Sequence, residues 1–132
     1  MKPVTRFLLD TTVLIEASRH REPALSWLHE ALQTPDEVGV CAVIVAEFFA
    51  GLRPDERPRW ESFIDDLTYW ATTPEVARQA SIYQYEYARR GQTILTADAL
   101  IAATAAAAGG TLVTDNAKHF PMLEIKTMRL VR

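Results

Sequence analysis

Short apolar segments alternate with helix-forming segments along most of this 132-residue chain, and that alternation constrains the fold more than any other feature. The apolar runs at residues 4–9, 38–43 and 111–114 are compact and predict buried strands, and residues 125–130 could add an edge strand. Helical patterns lie between them, at residues 13–19, from Pro23, and at 44–52, 54–70, 76–90 and 96–108. We therefore predict a single domain over residues 1–132, of the α/β class, with a central mostly parallel sheet covered on both faces.

Capping and stop signals set the expected helix boundaries. Thr11 or Thr12 is expected to cap the first helix, Pro23 to lie in the first turn of the second, and Thr96 to cap the alanine-rich helix. Residues 54–70 are expected to form one long amphipathic helix, because Trp60, Phe63, Ile64 and Leu67 have i, i+3, i+4, i+7 spacing.

Four carboxylates fall where the predicted strands end or the following helices begin. Asp10 follows the first strand, Asp115 follows the strand at 111–114, Glu47 lies in the helix after the second strand, and Asp98 lies in the first turn of the alanine-rich helix. Ligands of open parallel sheets bind outside the carboxyl ends of the strands, so these acids are expected to converge on one rim. Each also has a structural interpretation, above all helix capping for Asp98 and Asp115.

Carboxylates gathered on one rim repel one another, and a divalent cation would compensate. Oxygen ligands without cysteine or an evident histidine site suit Mg²⁺ or Mn²⁺ better than Zn²⁺. Such an ion activates water and stabilises a phosphoryl transition state, so the pattern indicates metal-assisted phosphodiester hydrolysis. The histidines His20, His29 and His119 lack metal-ligand spacing and are expected to be structural or on the surface.

Three blocks of sequence carry a family resemblance: "LLDTTVLIEA" at 8–17, "VIVAEFFAGL" at 43–52 and "LTADALIAATAAAAGGTLVTDNAKHF" at 95–120. Together they resemble the PIN domain, in particular the VapC-like toxin ribonucleases. The resemblance implies a PIN-like three-layer α/β/α fold, a Mg²⁺- or Mn²⁺-dependent endoribonuclease acting on RNA, a homodimer and a cognate antitoxin. It maps the three family acids onto Asp10, Glu47 and Asp98, with the metal held chiefly by Asp10 and Asp98.

The fourth site position has two candidates in this chain. Asp115 supplies the charge, whereas Asn116 matches the family's register; we take Asp115 as the fourth catalytic residue and keep Asn116 as its rival. Thr12 stands where relatives often have Asn or Ser, and its hydroxyl can still contact a phosphate or Asp10. Thr114 is expected to help hold an oxygen ligand or an ordered water.

Charge and cysteine content are compatible with an RNA-acting protein of the cytoplasm. The net charge is −3, so the surface is about neutral once three site acids are set aside. Lys118, just after the site, is the basic residue most suited to contact a phosphate. Cys41 is the only cysteine, which excludes an intramolecular disulfide and fits a reducing compartment. We see no membrane-length apolar run and no signal peptide, and expect no membrane association.

Two alternatives to a toxin ribonuclease remain open from the sequence: a PIN-like nuclease of RNA maturation, and a catalytically silent PIN-like binding module. A phosphoryl-transfer domain of the haloacid-dehalogenase type is disfavoured, because Thr12 stands where its second aspartate is needed. An antitoxin helix is expected in a groove between the 44–52 helix and the 54–70 helix.

Overall fold

The computed structural model describes residues 3–130 and contains one five-stranded sheet in that range. Its strands are β1 (Arg6–Leu9), β2 (Glu37–Cys41), β3 (Thr68–Trp70), β4 (Thr111–Val113) and β5 (Lys126–Met128). They lie in the order β3-β2-β1-β4-β5, and every neighbouring pair is parallel. The predicted parallel sheet and the edge strand near the C-terminus are confirmed.

Six α-helices and one 3₁₀ turn complete the described part of the chain. The helices are α1 (Thr11–Ser18), α2 (Ala24–Ala31), α3 (Ala42–Ala50), α4 (Arg57–Asp65), α5 (Pro74–Arg89) and α6 (Thr96–Ala108), and the 3₁₀ turn is Ala117–His119. None of the helices within residues 3–130 combines the length and the apolar character needed to cross a bilayer.

The order in which successive strands take their places in the sheet puts the helices in two layers, one on each face. From β1 the chain moves outward through β2 to β3, then crosses back to β4 and β5 on the other side of β1. Parallel crossovers are nearly always right-handed, so connections running in opposite directions cover opposite faces of the sheet. Helices α1 to α4 thus cover one face and α5 and α6 the other, which is the expected α/β/α architecture.

Strands β1 and β4 form the centre of the core. Leu8, Leu9, Leu112 and Val113 are each at most 1% exposed, because helices cover both faces of these strands. Helix α6 presents mainly alanines to the sheet, and Ala99, Ala102 and Ala105 are almost fully buried. Small side chains let this helix lie close to the strands, so the position of its first turn relative to β1 is well fixed.

The expected helix over residues 54–70 is wrong at both ends: α4 begins at Arg57, and residues 66–70 are not helical. Helix α4 ends at Asp65, and Thr68–Trp70 forms β3, paired with β2 from Gly39 to Cys41. A β-carbon on Gly39 would lie 2.3 Å from Trp70 Cζ3, so the glycine makes room for the Trp70 ring. This long-range fit, together with the strand preference of Thr, Tyr and Trp, overrides the helical spacing that continues to Leu67.

Three expected helix starts are also shifted. Asp10, rather than Thr11 or Thr12, caps α1, and its side chain accepts the Thr11 N–H. Pro23 precedes α2 as its N-cap residue, and Thr96 is the first residue of α6, with Leu95 before it. The differences are one or two residues, the usual uncertainty of a helix end.

The groove expected between α3 and α4 is filled by aromatic side chains. Phe48 packs edge-to-face on Trp60 at 6.0 Å between ring centroids, and Trp60 packs on Phe63 at 5.7 Å. An open apolar cleft lies instead among α1, α2 and α4; it is lined by Leu14, Ala17, Ser18, His20, Leu25, Leu28, Trp60 and Phe63.

Candidate active site

The candidate site lies at the carboxyl ends of β1 and β4, the neighbouring strands from which the chain leaves in opposite directions. Crevices at such switch points are the usual ligand sites of parallel α/β sheets. Leu9 of β1 is paired with Val113 of β4, and the backbone N–H of Asp10 donates to the Val113 carbonyl at 3.0 Å. The register thus places Asp10 beside Thr114, 104 residues later in the chain.

Asp10 is held by hydrogen bonds to both of its carboxylate oxygens. Oδ1 accepts the Thr11 backbone N–H at 2.8 Å, and Oδ2 accepts the Thr114 hydroxyl at 2.7 Å. Asp10 as a whole is 7% exposed, and burial raises the pKa of its carboxyl group. The two hydrogen bonds and His119 oppose this rise in the pKa, whereas the charge of Glu47 adds to it. Asp10 is therefore a fixed carboxylate whose ionised form is disfavoured unless a cation is present.

Glu47 reaches the same edge from α3. Its Oε1 accepts the Thr11 hydroxyl at 2.7 Å, which links α3 to the first residue of α1. Glu47 is exposed, and its charge raises the pKa values of both Asp10 and Asp98. The sequence offered no sign of this Thr11 contact, because it joins residues 36 positions apart.

Asp98 lies in the first turn of α6, as predicted, where the backbone dipole favours an anion. Burial raises the pKa of Asp98, His119 opposes that rise, and Asp10 and Glu47 add to it. Glu47 thus acts electrostatically on both aspartates, and Asp10 acts on Asp98. The expected convergence of all four acids into one pocket stays a prediction.

His119 belongs to this site, which the sequence analysis missed. Its Nδ1 atom lies 3.7 Å from Asp98 Oδ2, and its side chain is 48% exposed. The 3₁₀ turn after β4 brings it there, while the next residue, Phe120, is buried and anchors the turn. The sequence does show that His119 comes five residues after Thr114. That spacing alone does not predict the contact with Asp98, because the contact depends on the 3₁₀ turn between them.

The residues proposed for the fourth position occupy the turn that follows β4. Thr114 is fully buried, and its Oγ1 accepts the Asn116 backbone N–H at 3.0 Å while its hydroxyl donates to Asp10. Asp115 and Asn116 are both half-buried. Thr114 therefore orders the turn and Asp10 together, and the choice between Asp115 and Asn116 stays a prediction.

The donor chemistry of the site fits a hard divalent cation. Within residues 3–130 no three Asp, Glu, His or Cys side chains form a ready-made metal site. Mg²⁺ commonly keeps several waters and binds through one or two carboxylates, so two acids are sufficient. Burial raises the pKa values of Asp10 and Asp98, so a cation bound beside them would favour their ionised forms.

Comparisons with known proteins agree with this geometry. The model of the PIN domain family matches residues 7–123. Ribonuclease VapC19 of Mycobacterium tuberculosis is 30% identical over 115 residues, which cover 87% of this chain and 92% of that protein. Ribonuclease VapC10 of the same organism is 33% identical over 117 residues, with coverages of 89% and 87%.

Solved structures share the fold at lower sequence identity. In the crystal structure of VapBC2 from Rickettsia felis bound to a DNA fragment from their promoter, one chain superimposes with a TM-score of 0.82 at 19% identity. The match covers 96% of this chain and all of that chain. DNA-bound VapBC from Salmonella typhimurium gives a TM-score of 0.79 at 22% identity, over 96% of this chain and 98% of that one.

Proposed function

Because this chain belongs to the PIN domain family, we propose that it is a metal-dependent endoribonuclease and the toxin of a toxin–antitoxin pair. The observation that carries the proposal is the placement of Asp10, Glu47 and Asp98 at one edge of the sheet. Asp10 and Glu47 both accept hydrogen bonds from Thr11, and both raise the pKa of Asp98. Its relatives named as VapC ribonucleases support RNA as the substrate.

Asp10 and Asp98 would hold Mg²⁺ or Mn²⁺, and the bound ion would activate water and neutralise charge developing on the phosphate. Glu47 adds a third anionic oxygen beside Thr11, and Asp115 or Asn116 completes the rim from the turn after β4. Thr114 keeps Asp10 in one orientation through the 2.7 Å hydrogen bond. His119 places an imidazole next to Asp98 on the solvent side, within reach of a substrate phosphate or leaving oxygen.

RNA would approach from the open side of this edge. Lys118 is exposed in the same 3₁₀ turn as His119 and can contact a phosphate next to the site. With a net charge of −3 the chain has little general attraction for nucleic acid. Single-stranded or looped RNA, which proteins recognise by shape and stacking, suits such a surface best.

Cleavage of total RNA tests the proposal directly. We expect wild-type protein to cleave RNA with Mg²⁺, to lose cleavage in EDTA, and Asp98→Asn to be inactive with unchanged folding. Asp65→Asn, which removes an exposed acid at the end of α4, is the matched control and should cleave normally. Calorimetric titration should also show weaker Mg²⁺ binding in Asp98→Asn. Equal cleavage and equal Mg²⁺ binding by Asp98→Asn and wild type would refute the assignment.

The antitoxin would bind the apolar cleft among α1, α2 and α4. Amphipathic helices insert their apolar face into grooves of this kind, and Leu25, Leu28 and Trp60 line this one. The structural neighbours crystallised as VapBC toxin–antitoxin complexes support such a partner. Leu25→Asp should abolish inhibition of RNA cleavage by the cognate antitoxin. Leu32→Asp, at an exposed leucine just after the same helix, should leave inhibition unchanged.

A further inference from the structure

The link between α5 and α6 is tied to α5 by one side chain, Gln84. Its amide nitrogen donates to the Ile94 carbonyl at 3.0 Å and to the Thr96 hydroxyl oxygen at 3.0 Å. A carbonyl can only accept a hydrogen bond, so the Gln84 atom that faces Ile94 is the nitrogen and not the oxygen. Since α6 begins at Thr96, this half-buried glutamine holds both the end of the link and the first residue of the helix.

The start of α6 lacks the side-chain cap that other helices of the protein have. Asp10 caps α1 and Thr73 caps α5, each by accepting a backbone N–H of its helix. Leu95, the residue before α6, has an apolar side chain and makes no such bond. Leu95 and Thr96 are also exposed, so packing does not hold this end in place. Helix ends fray, and the contact from Gln84 is therefore what restrains the first residue of α6.

A movement at the start of α6 would reach Asp98. This acid lies two residues after Thr96, in the same turn and about 3 Å further along the helix axis. From Ala99, which is 0% exposed, the helix is packed on the sheet, so the first turn is the part that can shift. Mg²⁺ requires near-ideal octahedral geometry with oxygens at about 2.0–2.1 Å. Even a small displacement of the Asp98 carboxylate would therefore weaken a metal site shared with Asp10.

We propose that Gln84 is a positioning residue of the active site, which holds the first turn of α6 so that Asp98 and Asp10 can bind one divalent cation together. This role rests on the proposed metal-dependent ribonuclease function. Gln84 acts through Thr96 and the Ile94 carbonyl and contacts neither Asp98 nor the ion. A glutamine that served only to join α5 to α6 would affect the stability of the fold and leave the affinity for Mg²⁺ unchanged.

Gln84→Met tests the hold on α6 in metal-free protein. Methionine has nearly the same length and helix preference as glutamine but no amide donor. The first hydrogen bond of α6 runs from the Ala99 N–H to the Leu95 carbonyl at 2.9 Å. In EDTA, NMR should show that the Ala99 amide exchanges with solvent about tenfold faster in the variant. The Gly110 amide, which donates to the Ala105 carbonyl at the other end of α6, should exchange at the wild-type rate.

Calorimetric titration with Mg²⁺ and cleavage of RNA then measure the effect on the site. Gln84→Met should raise the Mg²⁺ dissociation constant about tenfold, the lower end of the range for partners that orient metal ligands. Cleavage should fall at limiting Mg²⁺, but at saturating Mg²⁺ kcat should approach the wild-type value with an unchanged KM for RNA. Gln79→Met is the matched control, because it removes another half-buried glutamine of α5, one that hydrogen-bonds Tyr83. It should keep the wild-type Mg²⁺ affinity and Ala99 exchange.

Thr96→Val is a second variant, which removes one of the two acceptors and leaves Gln84 in place. It should weaken Mg²⁺ binding in the same direction, and adding it to Gln84→Met should have no further effect, since both act through one contact. Unchanged Mg²⁺ affinity in Gln84→Met, or an equal loss in Gln79→Met, would overturn the role of Gln84 and leave the ribonuclease assignment intact. A wild type that neither binds Mg²⁺ nor cleaves RNA would overturn both.

Discussion

Replacing Thr114 by valine isolates the hydrogen bond that fixes the central carboxylate. Valine has nearly the same shape as threonine, and residue 114 is completely buried, so packing is largely kept. The change removes the hydroxyl that donates to Asp10 Oδ2 at 2.7 Å and the acceptor of the Asn116 N–H at 3.0 Å. A hydrogen bond to a charged group contributes about 1.5–3 kcal/mol and a neutral one about 1 kcal/mol. We expect Thr114→Val to lower the free energy of unfolding by about 2–4 kcal/mol at neutral pH.

The loss should depend on pH in a direction set by Asp10. Burial already raises the folded-state pKa of this carboxyl above its unfolded value, and the Thr114 hydrogen bond holds the rise down. Stability therefore falls as pH rises from the unfolded pKa through the folded pKa, and is level above both. Without the hydroxyl the folded pKa rises further, so Thr114→Val should differ least from wild type below pH 4 and most near pH 7.

Urea denaturation in EDTA, at pH 7 and again at acid pH, measures this difference. Thr114→Ser is the matched control: it keeps the hydroxyl and loses one buried methyl group, at a cost of about 1 kcal/mol. If valine were as stable as serine at pH 7, or if its deficit did not shrink in acid, the role given to this hydrogen bond would be incorrect.

Three further predictions concern the site and the core. Asp10→Asn should abolish RNA cleavage, yet it should raise the melting temperature in EDTA at pH 7, because it removes a buried anion. Calorimetry should find that Mg²⁺ stabilises wild type by about 2.7 kcal/mol at a hundredfold excess over the dissociation constant. Asp10→Asn should lose this stabilisation. Gly39→Ala should cost at least about 1–3 kcal/mol in urea denaturation, because the new Cβ would lie 2.7 Å from the Thr68 carbonyl oxygen. Gly51→Ala should cost almost nothing, because its new Cβ would lie 3.6 Å from the Phe48 carbonyl oxygen. Equal effects of the two substitutions would contradict the account of β3. Cys41 should not react with a thiol reagent in native protein, since burial raises its pKa and it is 0% exposed; rapid labelling without denaturant would contradict this.

Local patterns were sufficient to predict four of the five strands, and to predict that Asp10 follows the first strand and Asp98 lies in the first turn of α6, because each of these features is set within a few residues. Asp10 ends a compact apolar run, and Asp98 comes two residues after Thr96 at the start of an alanine-rich helix. The expected α/β class and parallel sheet are confirmed for this reason, and so is the resemblance to the PIN domain.

The features that sequence reasoning missed all depend on contacts between distant segments. Strand β3 exists because Gly39 admits the Trp70 ring, and no pattern within residues 54–70 contains that information. The Thr11–Glu47 hydrogen bond and the approach of His119 to Asp98 likewise join separate elements. Helical spacing, in contrast, describes one segment at a time, so the helix predicted from it continued beyond Asp65, where α4 ends.

The pairing of β1 with β4 also has a consequence for the timing of synthesis. A ribosome adds Asp10 to the chain 104 residues before Thr114, its hydrogen-bond partner. Until then the aspartate has no neighbouring strand on that side, and the helix that contains Asp98 has no completed sheet to pack on. Nascent chains that have not yet reached Thr114 would thus be harmless to the RNA being translated around them, because their central carboxylate is not yet held in place.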